Sequence, residues 1–211
     1  MDTNSTKKPK ILKSTPNELR DFIEANTETS TSNIEEISKK LREYILEKVN
    51  SAIEKLYSND IVLIEQKMYE VTICGRLALY LHEQFKKFKG YYVDIEYYRL
   101  KHPKSEANLR EDRIRCDILL HSRGKFERKI DNLLAIEVKL DYSKDDGHSD
   151  RARLAEFVIP ETPETPETAV HSTLIGMFIR LGVNGYSIGL FTSQGYTEVK
   201  KRRQKESSKT S

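Results

Sequence analysis

The sequence has no tryptophan, only two cysteines and no long run of apolar residues. A helix that crosses a membrane needs roughly 18 or more consecutive apolar residues, and no stretch of this chain approaches that length. The first ten residues, MDTNSTKKPK, are polar and basic, and the apolar core of a signal peptide does not follow them. These absences predict a cytoplasmic protein that has no membrane partner.

Cysteine and histidine are too few, or too widely spaced, to build most metal sites. Cys74 and Cys116 each lie in an apolar stretch, which is more typical of small buried side chains than of a disulfide or a metal ligand. The five histidines are scattered without the spacing of metal ligands. A glycine-rich phosphate loop is absent as well, which argues against a small-molecule phosphohydrolase.

The sequence does contain enough apolar residues for one domain, and its charge is unevenly distributed. Hydrophobic residues make up 37% of the 211 residues, which is adequate for a globular core. Segment 200–211 has six basic residues and one acidic residue, so the other 199 residues carry a net charge of −2 within the total of +3. We expect disorder at 1–31, one folded domain at 32–199 with its core at about 65–192, and a basic disordered tail at 200–211. That tail is either a solvated end or a source of non-specific attraction to phosphate.

Two helices are predicted before the first strand. Ser32 and Glu35 have the spacing of a capping box, and a stripe at helical intervals follows them, formed by Ile37, Leu41, Ile45, Val49, Ile53 and Leu56. The stripe either packs on the core of the domain or forms the contact of a homodimer. The second helix, at about 65–88, places Glu70 on the same face as Ile73, Leu77 and Leu81. It therefore directs a carboxylate along its apolar side.

The rest of the chain combines predicted strands with one more helix. Strands are predicted at about 91–100, 113–121 and 132–141, and two more lie within 172–191 around a turn at Asn184-Gly185. The stretch GHSDRARLAEFV, residues 147–158, has the apolar spacing of a helix. The repeat ETPETPET, residues 161–168, is too rich in proline for either structure and predicts an extended surface loop.

The stretch NLLAIEVKLD, residues 132–141, places two full charges in a strand that is otherwise suited to burial. One face carries Leu134, Ile136, Val138 and Leu140, and the other begins with Leu133 and Ala135 and ends with Glu137 and Lys139. Buried charges without partners are costly, and a lone E-x-K pattern is most often an ion pair at a sheet edge. If strand 113–121 pairs antiparallel with this one, however, Asp117 falls opposite Ile136 or Glu137.

Together, Glu70, Asp117, Glu137 and Lys139 predict a metal-dependent site for phosphodiester hydrolysis. Three converging carboxylates repel one another unless a cation neutralises them. Mg²⁺ is the natural cation, with Mn²⁺ as its expected substitute, because it prefers oxygen ligands, holds phosphate oxygens and lowers the pKa of a bound water. Lys139 would orient or deprotonate that water, or stabilise the charge that develops on the phosphoryl group.

The same residues, in this order, resemble the PD-(D/E)XK nuclease superfamily. The resemblance covers about residues 65–158 and is carried by the helix EVTICGRLALYL, the strand CDILLHSRG with Asp117, and the strand NLLAIEVK with Glu137 and Lys139. Cys116 stands where the motif names proline. The resemblance implies a restriction-endonuclease-like core of the α/β (α+β) class, in which helices flank a mixed central sheet, with the first helix as an N-terminal addition.

The resemblance also implies a role for each residue of the motif. Asp117 and Glu137 would be metal ligands, together with Glu70 and the main-chain carbonyl of Val138. Lys139 would be the catalytic lysine, and Arg76 would support the site from the helix of Glu70.

The implied function is that of a metal-dependent nuclease, with DNA favoured as the substrate. The alternative is a module of the same fold that cleaves weakly or not at all and binds nucleic acid or protein within a larger defence or repair assembly. The residues expected to contact nucleic acid are Arg76, Arg123, Lys125, Arg128 and Lys129. All but the first belong to the loop SRGKFERK, which is equally typical of a solvated charged hairpin.

Overall fold

The computed structural model describes residues 31–100, 113–124, 131–158 and 173–202. These residues form three helices, α1 (Thr31–Glu65), α2 (Glu70–Phe85) and α3 (His148–Phe157). They also form six strands, β1 (Tyr92–Leu100), β2 (Arg113–His121), β3 (Asn132–Leu140), β4 (Ile175–Gly182), β5 (Gly185–Thr192) and β6 (Gly195–Arg202). The loop predicted at 161–168 lies outside the described residues, as does most of the disorder predicted at 1–31 and 200–211. Thr31, predicted to be disordered, begins α1.

All six strands form one mixed sheet, whose order in space follows the order in the chain. Neighbouring strands are antiparallel except β3 and β4, which are parallel. A parallel pair needs a crossover connection, and α3 lies in the segment between these two strands. The prediction of an α+β chain with a mixed sheet is confirmed. No described helix is both long enough and apolar enough to cross a membrane.

Helices cover both faces of the sheet. The larger core cluster joins α1 and α2 to one face of β3, which contributes Leu134, Ile136, Val138 and Leu140 as predicted. The smaller cluster lies on the opposite face, where Leu154 and Phe157 of α3 pack with Ala135 of β3 and Phe178 of β4. Because successive side chains of a strand point to opposite faces, Glu137 lies on the face that α3 covers.

β2 does not keep the regular alternation that its sequence predicts. Ile118 and Leu120 belong to the cluster under α1 and α2, whereas Cys116, predicted on their face, belongs to the α3 cluster with Leu119. The alternation therefore breaks at Asp117. Cys116 is a buried free thiol, as is Cys74, and burial raises the pKa of both thiols above the ordinary range. The prediction that both cysteines are buried structural side chains is confirmed.

The first helix belongs to the core of the chain. Its predicted stripe is buried at Leu41, Ile45, Val49, Ile53 and Leu56, and the side chain of Ile37 lies outside the described residues. The buried residues join the cluster that also contains α2 and the sheet. Because this stripe is used within the chain, it is not a free surface for a homodimer contact.

Two helix boundaries differ from the predicted ones. α1 continues through a kink at Asp60 (φ −133°) and ends at Glu65, the residue predicted to begin the second helix. Lys67 has a left-handed backbone (φ 55°), which interrupts the helical path before α2 begins at Glu70. Glu70 therefore lies in the first turn of α2, where the backbone N–H groups lack partners within the helix.

The strand β6 is an addition to the predicted fold. It pairs with β5 along its whole length, from Thr192↔Gly195 to Gly185↔Arg202. Lys200 to Arg202, predicted as the start of the tail, are therefore part of the sheet. Their run of positive charge predicts disorder, but an edge strand tolerates lysine and arginine because one side of it faces solvent.

Replacing Ile53 by alanine should lower the free energy of unfolding by about 2–5 kcal/mol, because the fully buried side chain leaves a cavity in the shared core. Glu43→Ala, at an exposed position of the same helix, is the control and should change it by less than about 0.5 kcal/mol. Urea denaturation of the two variants measures the difference. Equally small effects would show that α1 does not pack on the domain.

Candidate functional site

β2 and β3 pair over only part of their length, and they separate at the predicted site. Their register runs from His121↔Asn132 to Ile118↔Ile136. One further step in this register places Asp117 opposite Glu137, one of its two predicted partners. From that step onward, β2 stays paired with β1 and β3 stays paired with β4. The two acids therefore lie at a fork between the strands.

The backbone of β3 holds Asp117 at this fork. The Oδ2 atom of Asp117 accepts a hydrogen bond of 2.7 Å from the N–H of Val138. This bond joins β2 to β3 at the point where their ladder has ended. Val138 thus contacts the site through its N–H, and a metal-ligand role for its carbonyl stays a prediction.

Lys139 is surrounded by acids from two helices and a loop. Its Nζ lies 3.3 Å from Oε1 of Glu70, 3.1 Å from Oδ2 of Asp150 and 3.4 Å from Oδ2 of Asp145. Only 13% of the Lys139 side chain is exposed. α2 therefore brings Glu70 to the end of β3, as its position on the apolar side of the helix predicts.

Glu137 is paired with an arginine of α3. Its side chain is only 3% exposed, and its Oε1 accepts hydrogen bonds from Nη2 and Nε of Arg153 at 3.1 and 3.3 Å. Arg153 also pairs with Asp150, whose side chain is 6% exposed. Asp150 is thus shared by Arg153 and Lys139, and a continuous chain of ion pairs links Glu137 to Glu70.

The sequence patterns above miss Asp150 and Arg153 as site residues. Asp150 lies four and seven positions before Leu154 and Phe157, so it occupies the apolar stripe of α3. An acid on an apolar helix face is the same signal that singled out Glu70. Arg153 follows Asp150 by three positions, which brings the two side chains together on a helix.

The site contains more acidic than basic side chains. Two basic side chains, Lys139 and Arg153, lie among five acids, namely Glu70, Asp117, Glu137, Asp145 and Asp150. Burial, reinforced by the charge of Asp117, raises the pKa of Glu137 to about 8, although Arg153 opposes the shift. Burial also raises the pKa of Glu70 against the attraction of Lys139. A bound cation would relieve this surplus of carboxylates.

Lys139 keeps its proton at neutral pH. Burial by itself lowers the pKa of an ammonium group, but the hydrogen bond with Asp150 and the charge of Glu70 outweigh burial and raise the pKa of Lys139. A protonated lysine donates hydrogen bonds and cannot accept a proton. Of the predicted roles, the geometry therefore favours charge stabilisation and water orientation over deprotonation of a water.

The donor atoms suit Mg²⁺ in their chemistry, but they are not arranged as a ligand set. Glu70, Asp117 and Glu137 offer only carboxylate oxygens, which are the ligands that Mg²⁺ prefers. Among the residues that the structure describes, no three acidic, histidine or cysteine side chains are grouped so as to hold a metal ion. Glu137 pairs with Arg153 and Glu70 with Lys139, so a metal ion would have to replace a protein cation at the fork.

Arg76 pairs with a residue outside this cluster, and its predicted supporting role stays a prediction. Its Nε and Nη2 donate to the carboxylate of Asp60 at 3.0 and 3.1 Å, and its guanidinium lies 5.7 Å from the ring centroid of Tyr80. The six positions between Glu70 and Arg76 turn the side chain by about 240° around the helix. Arg76 therefore fastens α2 to the kink of α1.

Arg123 follows the C-terminal end of β2, two positions after His121. Its guanidinium pairs with Asp94 at 2.6 and 2.9 Å and lies 4.2 Å from the ring centroid of Tyr92. It follows Asp117 by six positions, a span of up to about 20 Å in extended chain. A nucleic-acid contact at Arg123 stays a prediction, and Lys125, Arg128 and Lys129 lie outside the described residues.

Glu137 should make stability depend on pH. Because its pKa is raised from 4.5 to about 8, the folded chain keeps a proton in this window that the unfolded chain has released. Its contribution to stability is therefore present at the acidic end and is lost as the pH rises through about 8. Glu137→Gln stays neutral at every pH, so it does not share this loss of stability. The melting temperature of the variant minus that of the wild type should therefore be higher in alkaline than in acidic buffer, by at least about 2–4 °C, the shift that about 1 kcal/mol gives.

Thermal melting in EDTA, at half-unit steps of pH, measures this difference. Glu156→Gln, at an exposed position of the same helix as Arg153, is the matched control and should follow the wild type throughout. A melting difference between Glu137→Gln and the wild type that stays constant with pH would contradict the raised pKa.

Comparison of the chain with protein-family models, with curated proteins and with solved structures finds no match. The resemblance to the PD-(D/E)XK superfamily therefore rests on the motif residues alone and stays a prediction. Any account of function depends on what the residues at the fork can do.

Proposed function

We propose that this chain is a metal-dependent nuclease that hydrolyses the phosphodiester bonds of nucleic acid, with DNA as the favoured substrate. The observation that best supports the proposal is that Asp117, Glu137 and Lys139 come together at the fork. Glu70 joins them through an ion pair with the ammonium group of Lys139. These four residues carry the resemblance to the nuclease superfamily and come from three separate elements. A structural ion pair would need only two of them.

We further propose that the described core is restriction-endonuclease-like. Support comes from the central parallel pair β3 and β4, from the crossover that carries α3, and from α2 on the opposite face. Each motif residue occupies the kind of element that the resemblance implies. Nucleic acid is the partner that follows from this proposal, and the cytoplasmic location stays a prediction.

Asp117 and Glu137, with Glu70 and the carbonyl of Val138, would hold the Mg²⁺ or Mn²⁺ ion, which would supply a water of lowered pKa and contacts to phosphate oxygens. The protein's own contribution is the orientation of these groups. The N–H of Val138 fixes Asp117, and Arg153 holds Glu137 at the fork until the metal ion would take its place.

Lys139 would act on the phosphate as a cation. Its ammonium group is held by Glu70 and Asp150 on either side, and it keeps its proton at neutral pH. Negative charge that develops on the phosphoryl oxygens during hydrolysis is stabilised by such a fixed donor. Asp150 is then a positioning residue, because it acts through Lys139 and Arg153.

The alternative function is that of a nuclease-fold module that binds nucleic acid or protein without cleaving it. One observation favours it, the pairing of Glu137 with Arg153, since this internal cation already satisfies the most buried acid of the site. Under this alternative the ion-pair chain is permanent and holds α3 on the sheet. A cleavage assay with variants at the fork distinguishes the two functions.

Lys139→Ala should keep the binding of nucleic acid but reduce cleavage by roughly two to four powers of ten, the usual loss for an acid–base or electrostatic group. Asp117→Asn should fail earlier, with loss of both metal affinity and activity. The assay is cleavage of single- and double-stranded DNA and RNA with Mg²⁺ or Mn²⁺. Lys144→Ala, which removes an exposed lysine from the segment that follows β3, is the matched control and should cleave like the wild type.

Each variant is first shown to be folded by circular dichroism. If the wild type binds nucleic acid but cuts none of these substrates with either metal, and Lys139→Ala behaves in the same way, the binding-module function replaces the nuclease. Equal loss of activity in Lys144→Ala and Lys139→Ala would remove the specific role of Lys139.

A further inference from the structure

A polar cleft of about 470 Å³ lies beside the fork, on strands β4 to β6. Its walls include Arg151 of α3, Phe178 and Arg180 of β4, Ser187 of β5 and Glu198 of β6. None of these residues belongs to the predicted site or to the predicted nucleic-acid contacts.

The cleft adjoins the fork through the parallel pairing of β3 with β4. In the register of these two strands, Phe178 lies opposite Glu137, and Arg180 lies opposite Lys139. Neighbouring strands lie about 4.8 Å apart, so Arg180 is one strand further from the fork than the lysine of the motif. On the next strand Ser187 pairs with Arg180, and on the edge strand Lys200 pairs with Ser187. A polymer lying across β3 at the fork would therefore meet Arg180 next.

Arg151 and Arg180 are held in place around one aromatic ring. Each donates from Nη2 to the carbonyl oxygen of Asp146 at 2.7 Å. Their guanidinium carbons lie 4.5 and 5.8 Å from the ring centroid of Phe178. Gly147 makes room for this ring, because a Cβ there would lie 2.4 Å from Cζ of Phe178. Two arginines from different elements are thus fixed side by side.

No described carboxylate forms an ion pair with either of these two arginines. Within the described part of the chain, neither Arg151 nor Arg180 lies within 4 Å of a carboxylate oxygen, whereas Arg76, Arg123 and Arg153 each pair with one. Their shared partner, the carbonyl of Asp146, is uncharged and leaves further N–H donors on each guanidinium. Asp141 and Glu198 also line the cleft and balance the charge of the two arginines. The cleft would therefore attract an anion through direct contact with the arginines and not through a net positive charge.

We propose that this cleft binds the sugar–phosphate backbone of the nucleic-acid strand, next to the phosphodiester bond that is cut. Arg151 and Arg180 would donate hydrogen bonds to the phosphate oxygens of that backbone. Arginine suits this task because its planar fork matches two phosphate oxygens. The proposal rests on the proposed nuclease function, since the fork defines where the strand lies. It assigns a backbone contact to β4 and α3, in addition to the one predicted for the loop after β2.

The test is the binding of a fluorescein-labelled single strand and duplex of DNA, followed by fluorescence anisotropy in EDTA at several salt concentrations. The double variant R151Q/R180Q should bind at least about tenfold more weakly, and the slope of log K against log salt should fall by about one to two, because up to two phosphate contacts are lost. R151K/R180K keeps both charges and should retain most of the slope.

R42Q is the matched control for lost charge. Arg42 lies on α1, donates to Gln194 at 3.1 Å and, like the two cleft arginines, forms no ion pair in the described residues. R42Q should bind like the wild type. Thermal melting checks that every variant is folded, and the single variants R151Q and R180Q, each expected to lose part of the binding, replace the double variant if it does not fold.

The outcomes separate this proposal from the proposed function. If the wild type cleaves and R151Q/R180Q binds as tightly as the wild type or R42Q, the cleft is not the backbone site and the nuclease proposal stands. If R151Q/R180Q loses binding while the wild type cuts nothing with Mg²⁺ or Mn²⁺, the cleft stands as a binding surface and the nuclease proposal fails. A wild type that binds no nucleic acid at any salt concentration overturns both.

Discussion

The structure around the fork depends on the burial of one carboxyl group, that of Glu137. It lies on a central strand with 3% of its side chain exposed, where an unpaired charge is very costly. Two features reduce this cost. Burial and the charge of Asp117 raise the pKa of Glu137 to about 8, which favours its uncharged form at neutral pH, and Arg153 of α3 supplies a cation for the charged form. Because the arginine comes from the β3–β4 crossover, the parallel pair and the buried acid depend on the same helix.

The remaining charges follow from this arrangement. Arg153 needs Asp150, Asp150 also holds Lys139, and Lys139 reaches Glu70 at the start of α2. Helices from both faces of the sheet thus meet at the carboxyl half of β3, where β2 has separated from it. A chain built only for stability would gain little from such a buried network, since replacing ion pairs by apolar residues is often neutral or stabilising. The presence of these charges therefore supports the proposed chemical role of the fork.

Local patterns predict much of this arrangement, and tertiary contacts account for what they miss. The alternation of β3 predicts the two faces correctly, and the spacing of Glu70 with Ile73, Leu77 and Leu81 predicts an acid directed at the sheet. Arg153 is different, because an arginine on a helix is most often solvated and only the fold shows that Glu137 lies under it. The break of alternation at Asp117 is hidden for the same reason, as it depends on where β3 ends its pairing. The charges of β6 resemble those of a disordered tail, so the sequence does not predict this strand. The sequence also gives no sign that Arg76 pairs with Asp60, because that pair forms at an unpredicted kink.

The proposed binding of a divalent ion by Asp117 and Glu137 is tested most directly by a crystal structure of the wild type with Mn²⁺. We expect an anomalous manganese peak at about 2.0–2.5 Å from carboxylate oxygens of both acids, the range of metal–oxygen bonds in proteins, with Arg153 displaced from Glu137. A fully occupied manganese site elsewhere on the chain, or none, while Glu137 still pairs with Arg153 at saturating Mn²⁺, would contradict it.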